Sequence, residues 1–331
     1  MKGKHKVIVQ NKRIRYDFEL NRNITILQGD SATGKTTLIE MIEEYMNQGK
    51  ASMVDLQCDK KCGVISGSTW QGQLLQFSDS IIFIDEGNSF ILSVEFAREI
   101  QKTDNYYVIV TREGLSNLPY SVEEIYGIHS SGKYGHLKKC YQTFYHIYNL
   151  QSVKKSLYPR VVITEDSNSG YQFFAHVCDE NEVKCVSASG KSNIINVLKR
   201  LSPTDETVVI VDGAAFGPEM NRIMNYINHK KNIKLYAPES FEWILLASHI
   251  LDVKELDDIF ENTSDYVESQ RYFSWEQYFT ELLLEMSYDS YLRYSKSKLN
   301  EAYLMGNVKN SILDTIEVIK FEKYDTDEEN Q

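Results

Sequence analysis

The run Gly29-Asp30-Ser31-Ala32-Thr33-Gly34-Lys35-Thr36 spaces two glycines, a lysine and a hydroxyl as a phosphate-wrapping loop does. The glycines let the backbone curl around an anion, and successive N–H groups at a following helix N-terminus supply positive potential. Lys35 is spaced to reach the β- and γ-phosphates of a nucleotide, Thr36 to ligate Mg2+, and Thr37 continues the cradle. A second run, "IIFIDEGNSF", carries four apolar residues into Asp85 and Glu86. There Asp85 is placed to hold the metal, usually through water, and Glu86 to orient or deprotonate an attacking water. A third, "YYVIVTRE", ends in Thr111 and Arg112, where a polar sensor of the γ-phosphate or a plain surface turn are both open readings.

The second half carries another set. Glu165 and Asp166 end one apolar run, Lys191 follows Gly190 ahead of a helical pattern, Asp212 ends another run, and Glu239 and Glu242 follow a fourth. Acids at successive strand ends lie along the edge where α/β sheets place ligands.

The elements that must position these side chains alternate strand and helix to about residue 250, which predicts α/β layers. Expected strands are "KVIVQ", "ITILQG", "SIIFID" and "YYVIVT", then "RVVITED", "KCVSAS", "TVVIVDG" and "IKLYAP". "TTLIEMIEEYMNQG" sets Leu38, Ile42 and Met46 on one helical face and stops at Gly49. "VEFAREIQK", "NIINVLKRL" and "EMNRIMNYINHK" have similar periodicity, and the stretch 274–321 reads as helical throughout. The expected division is a nucleotide-binding domain over 1–155, a second α/β domain over 156–262 and a helical tail over 263–331.

At 331 residues, 42% hydrophobic, the chain can build more than one core. No apolar run approaches the roughly 20 residues of a membrane helix, so no membrane partner is expected. The basic start "MKGKHKVIVQNKRIRYDFEL" reads as amphipathic strands rather than a signal peptide. Five cysteines fit reduced thiols in a cytoplasm. "CDKKC" offers two thiolates to zinc, but no second pair follows. Residues 1–150 balance 17 basic against 17 acidic side chains, so the remainder carries the whole net charge of -11. A generic electrostatic grip on nucleic acid by that half is disfavoured.

Over roughly 6–115 the chain resembles the additional-strand, ATPase branch of P-loop proteins, with both Walker motifs present. It lacks an "LSGGQ"-like signature, which argues against an ordinary ABC ATPase. "SSGKYG" (130–135) places Lys133 either against a neighbour's nucleotide or in a Gly/Ser loop. Over roughly 160–250, Glu165, "GKSN", Asp212 and "SFEWILL" resemble the Toprim fold of overcoming-lysogenization-defect nucleases and related ATPase-linked antiphage proteins. That resemblance implies that Glu165 and Asp212 bind Mg2+, with Glu242 a further candidate, and that Lys191 sits near the scissile phosphate. The family's Asp-x-Asp is here Asp212-Gly213-Ala214. Either Asp166 completes a two-metal site or the domain has lost cleavage chemistry.

The resulting expectation is a Mg2+-dependent, homo-oligomeric ATPase of phage defence or a mobile element. It would control a Toprim-like effector that cuts nucleic acid or captures a phage or host protein. A catalytically degenerate second domain acting as a binding module is one alternative. A P-loop nucleoside kinase is another, though no lid or second-substrate loop is recognisable.

Overall fold

A computed structural model describes residues 1–30, 33–131, 139–150 and 156–321. Two compact units result: Met1–Tyr148 with Asp257–Trp275, and Asn149–Leu256 with Glu276–Gln331. The mixed α/β architecture agrees with the expected class.

In the first unit, β1 (His5–Gln10), β2 (Ile14–Leu20) and β3 (Ile24–Leu27) precede α1 (Lys35–Gln48), β4 (Asp55–Gln57) and β5 (Lys61–Val64). Then come α2 (Trp70–Leu74), β6 (Ser80–Ile84), α3 (Val94–Ile100), β7 (Tyr106–Val110), β8 (Ile125–Ser131) and β9 (Cys140–His146). They form a nine-stranded sheet in the order β4-β1-β2-β9-β8-β3-β7-β6-β5. The apolar runs of β3, β6 and β7 are buried along their whole length, as parallel strands covered on both faces must be. β7 lies between β3 and β6 and is parallel to both, with Ile109 opposite Ile26 on one side and Ile84 on the other. Leu38, Ile39, Met41 and Ile42 of α1 pack into the core with Val7, Val9, Tyr16 and Phe18.

Strands β4, β5, β8 and β9 carry no strong apolar run. In β9, "CYQTFYH", Tyr141 and Tyr145 are half exposed, so the alternation is masked by aromatics on the solvent side. In β5, Gly63 leaves room for the Phe77 ring, which a Cβ would meet at 2.2 Å.

The second unit contains β10 (Val161–Thr164), α4 (Ser169–Glu180), β11 (Lys184–Ser187), α5 (Ile194–Leu198), β12 (Thr207–Ile210), α6 (Met220–Ile227), β13 (Ile233–Tyr236) and α7 (Phe241–Ala247). Its sheet runs β11-β10-β12-β13, all parallel, so the strands' carboxyl ends share one edge.

The segment from 263, expected as one helical tail, is divided between the units. Residues of α8 (Leu256–Glu261) and α9 (Thr263–Tyr266) pack with the first unit, where Gly3 N–H donates to Ser264 O at 2.7 Å. α10 (Trp275–Met286) and α11 (Gly306–Thr315) follow, and the chain between them is mostly irregular rather than helical. Polar side chains take its backbone donors: Tyr294 N–H bonds Ser287 Oγ at 2.9 Å, Leu292 N–H bonds Ser290 Oγ at 3.1 Å, and Ala302 N–H bonds Asn300 Oδ1 at 3.0 Å. Such local bonds compete with the helical ladder. Among the described residues no helix is long and apolar enough to cross a membrane.

Candidate functional site

β3 ends at Leu27 and α1 begins at Lys35, so the expected cradle connects a buried strand to a helix N-terminus. Gly29 and Gly34 hold φ of 119° and 94°, a region that favours glycine. Gly34 has a second constraint: the buried Tyr16 hydroxyl donates to its carbonyl at 2.7 Å, and a Cβ there would lie 2.8 Å from that oxygen. Tyr16 was not singled out from the sequence, because nothing in β2 alone announces its reach to the loop.

Lys35 is buried, and its ammonium donates to Gly29 O at 2.9 Å, Asp30 O at 2.7 Å and Thr33 Oγ1 at 2.9 Å. Burial holds its pKa below the ordinary lysine value, against the opposing pull of Glu86. Thr36 Oγ1 meets Asp85 Oδ1 at 3.5 Å, and the same carboxylate oxygen accepts from Glu86 N–H at 2.8 Å. Thr36 and Thr37 are exposed on the first turn of α1. Ser31, Ala32 and Lys133 lie outside the described residues.

Glu86 follows Asp85 at the end of β6, and Arg112 follows Thr111 at the end of the neighbouring β7. The Arg112 Nε–H donates to Glu86 Oε2 at 3.1 Å and Nη2 to Oε1 at 2.9 Å. This fork, with Lys35 behind it, holds the Glu86 carboxyl below the usual carboxylate range. Thr111 Oγ1 donates to Glu113 O at 3.0 Å, which leaves the hydroxyl serving its own turn.

The donor set fits a magnesium triphosphate. A buried ammonium and two glycines at positive φ lie at the β3–α1 corner, and the Thr36 hydroxyl there faces the Asp85 carboxylate from the end of β6. Lys35, with the N–H groups of the α1 N-terminus, would hold phosphate, and Thr36 and Asp85 would hold the metal.

The second unit's acids meet around a small pocket enclosing about 30 Å3, lined by Glu165, Asp166, Asp212, Glu242 and Lys296 among others. Glu165 Oε2 accepts from Asp212 N–H at 3.2 Å. Burial foremost pushes the Glu165 carboxyl up to about 7, and Glu276 and Asp166 add to it. Asp212 rises well above its ordinary value through burial and the nearby charges of Glu276, Glu165 and Glu242. Glu242 is buried; its Oε1 accepts from Tyr294 Oη at 2.7 Å and lies 3.8 Å from Lys296 Nζ. Lys296 also pairs with Glu276 at 2.6 Å. Burial works against the Lys296 ammonium, but Glu242 and Glu276 outweigh it and hold its pKa above the ordinary value.

Lys191, expected near the scissile phosphate, donates to Ala215 O at 3.1 Å and is close enough for its charge to pull the Glu165 carboxyl down against burial. Asp166 caps its own turn, accepting from Asn168 N–H at 3.2 Å. Among the described residues no group of three or more His, Cys, Asp or Glu side chains is arranged to hold a metal ion. All five cysteines are free thiols. Tyr294, Lys296 and Glu276 escaped the sequence reading, since they come from a stretch with no motif and reach the pocket only through the fold.

A scan against protein-family models finds no match to this chain, and a search of curated proteins finds none either.

Proposed function

We propose that the first unit is a Mg2+-dependent ATPase that controls the second unit, a Toprim-like effector acting on nucleic acid. The observation that supports the ATPase reading most is that Lys35 and Thr36, opening α1 after β3, meet Asp85 and Glu86 at the end of β6, two strands along the same sheet, with Thr36 Oγ1 3.5 Å from Asp85 Oδ1. Bound Mg2+ would neutralise phosphate charge there. Lys35 would hold the terminal phosphates, and Glu86 would take the proton of the attacking water.

The test is nucleotide binding and turnover in two variants. Lys35→Ala is expected to lose tight ATP binding, and unchanged affinity would remove the cradle. Glu86→Gln is expected to keep ATP bound while turnover falls on the order of a hundredfold or more. Release of labelled phosphate to water, rather than transfer to a nucleoside, separates this reading from a kinase.

A second reading makes the second unit a partner-binding module without cleavage. One observation favours it: Glu242 is engaged by Tyr294 and Lys296, and the sequence has the buried Ala214 where the resembled family carries the second acid of its Asp-x-Asp.

A further inference from the structure

Resting on the ATPase reading, we propose that Arg112 is a built-in restraint on Glu86, a positioning residue that keeps the water-activating carboxylate from acting until the guanidinium is withdrawn.

The restraint follows from the strand order. β7 is the inserted strand, so its end lies directly beside the end of β6, and Ile109 is in register with Ile84. Two residues past Ile84 the chain presents Glu86; three past Ile109 it presents Arg112. Two guanidinium nitrogens take both oxygens of the carboxylate, at 2.9 and 3.1 Å. Planar fork-to-fork pairing is the strongest geometry open to these two groups. It opposes general-base action because each carboxylate oxygen already accepts a hydrogen bond from the guanidinium, so neither is turned toward a water. The charged groups facing Glu86 are Arg112 and Lys35, with Asp85 preceding it in the chain.

The pair is also releasable. Its side chains are 60% exposed at Arg112 and 35% at Glu86, so water can take over the fork's hydrogen bonds when the guanidinium leaves. Both residues line a pocket of about 490 Å3 with Gly87, Asn88, Leu92 and Glu113, which gives the guanidinium space to swing away. A buried pair would lock the base permanently, whereas an exposed one sets a modest, reversible threshold.

Steady-state ATP hydrolysis of the full chain with Mg2+ tests this in Arg112→Gln, Arg112→Lys, Glu86→Gln and the Arg112→Gln/Glu86→Gln pair. Arg112→Gln should raise kcat at least threefold while KM for ATP stays within twofold. Arg112→Lys, which keeps the charge and loses the fork, should fall between. The double variant should match Glu86→Gln, because the gain passes through that carboxylate. A kcat for Arg112→Gln at or below the parent overturns the restraint, as does a gain that survives in the double variant. A rise in KM with falling kcat would instead make Arg112 a phosphate ligand. Failure of the underlying ATPase reading is separate: there Lys35→Ala leaves ATP binding intact whatever Arg112 does.

Discussion

Glu165 sits at the end of β10 with its carboxyl pushed up to about 7, chiefly by burial, and its partner Asp212 is shifted the same way. A carboxyl whose pKa rises on folding binds more protons folded than unfolded between its ordinary 4.5 and about 7. Stability contributed by this site is therefore greatest at low pH, falls as pH rises through that window and is flat above it. The full loss is on the order of 3 kcal/mol for such a shift. Glu165→Gln carries no charge to bury. In EDTA it should be more stable than the parent at pH 8 and nearly equal at pH 4.5, as read by denaturant midpoints. A stability difference between parent and variant that is the same at both pH values would show that Glu165 titrates normally. Divalent cations should act against the same penalty, since metal and proton compete for one pair of oxygens.

Strand ends, more than single residues, decide which side chains meet. Gly213 follows Asp212 at such an end, and its N–H donates to Pro238 O at 2.6 Å. A Cβ there would lie 2.6 Å from Ala237 O and 2.7 Å from Pro238 O, both backbone atoms that cannot rotate away. Gly213→Ala should force β12 and β13 apart at their carboxyl ends, destabilising the second unit by about 1–3 kcal/mol. Gly72→Ala, in α2 with nothing within 4 Å of the added carbon, should be neutral or slightly stabilising. Thermal melts of both variants check this, and equal Tm values would refute the crowding. The same elements explain what was legible beforehand. Buried parallel strands such as β6 and β12 are continuous apolar runs whose ends are marked by acids, so Asp85, Glu86, Glu165 and Asp212 could be read directly. The β8–β9 pair could not, because its exposed tyrosines blur the period. The helical run expected through 287–300 failed because Ser287, Ser290 and Asn300 divert backbone donors. Lys296 was invisible because its role depends on where an irregular segment returns to the pocket.

Charge sets the terms on which the whole molecule can meet nucleic acid. The chain carries -11, all of it outside the first 150 residues, and the second unit's pocket sets the carboxyls of Asp166 and Glu242 against Lys296, with Glu165 and Asp212 adding charge only as they lose the protons that burial retains. A phosphodiester approaching that edge meets like charge unless a cation stands between them. If the second unit cuts nucleic acid, the bridge must be divalent and held by Glu165 and Asp212, since Glu242 is engaged by Tyr294 and Lys296. Plasmid incubated with ATP and Mg2+ or Mn2+ should then be cleaved by the parent, and cleavage should vanish in EDTA and in Glu165→Ala. Lys35→Ala should lose it too if the nucleotide unit governs the effector. Cleavage persisting in EDTA would contradict the electrostatic argument. A plasmid left intact with every metal, while ATP turnover proceeds, would assign the second unit to partner capture.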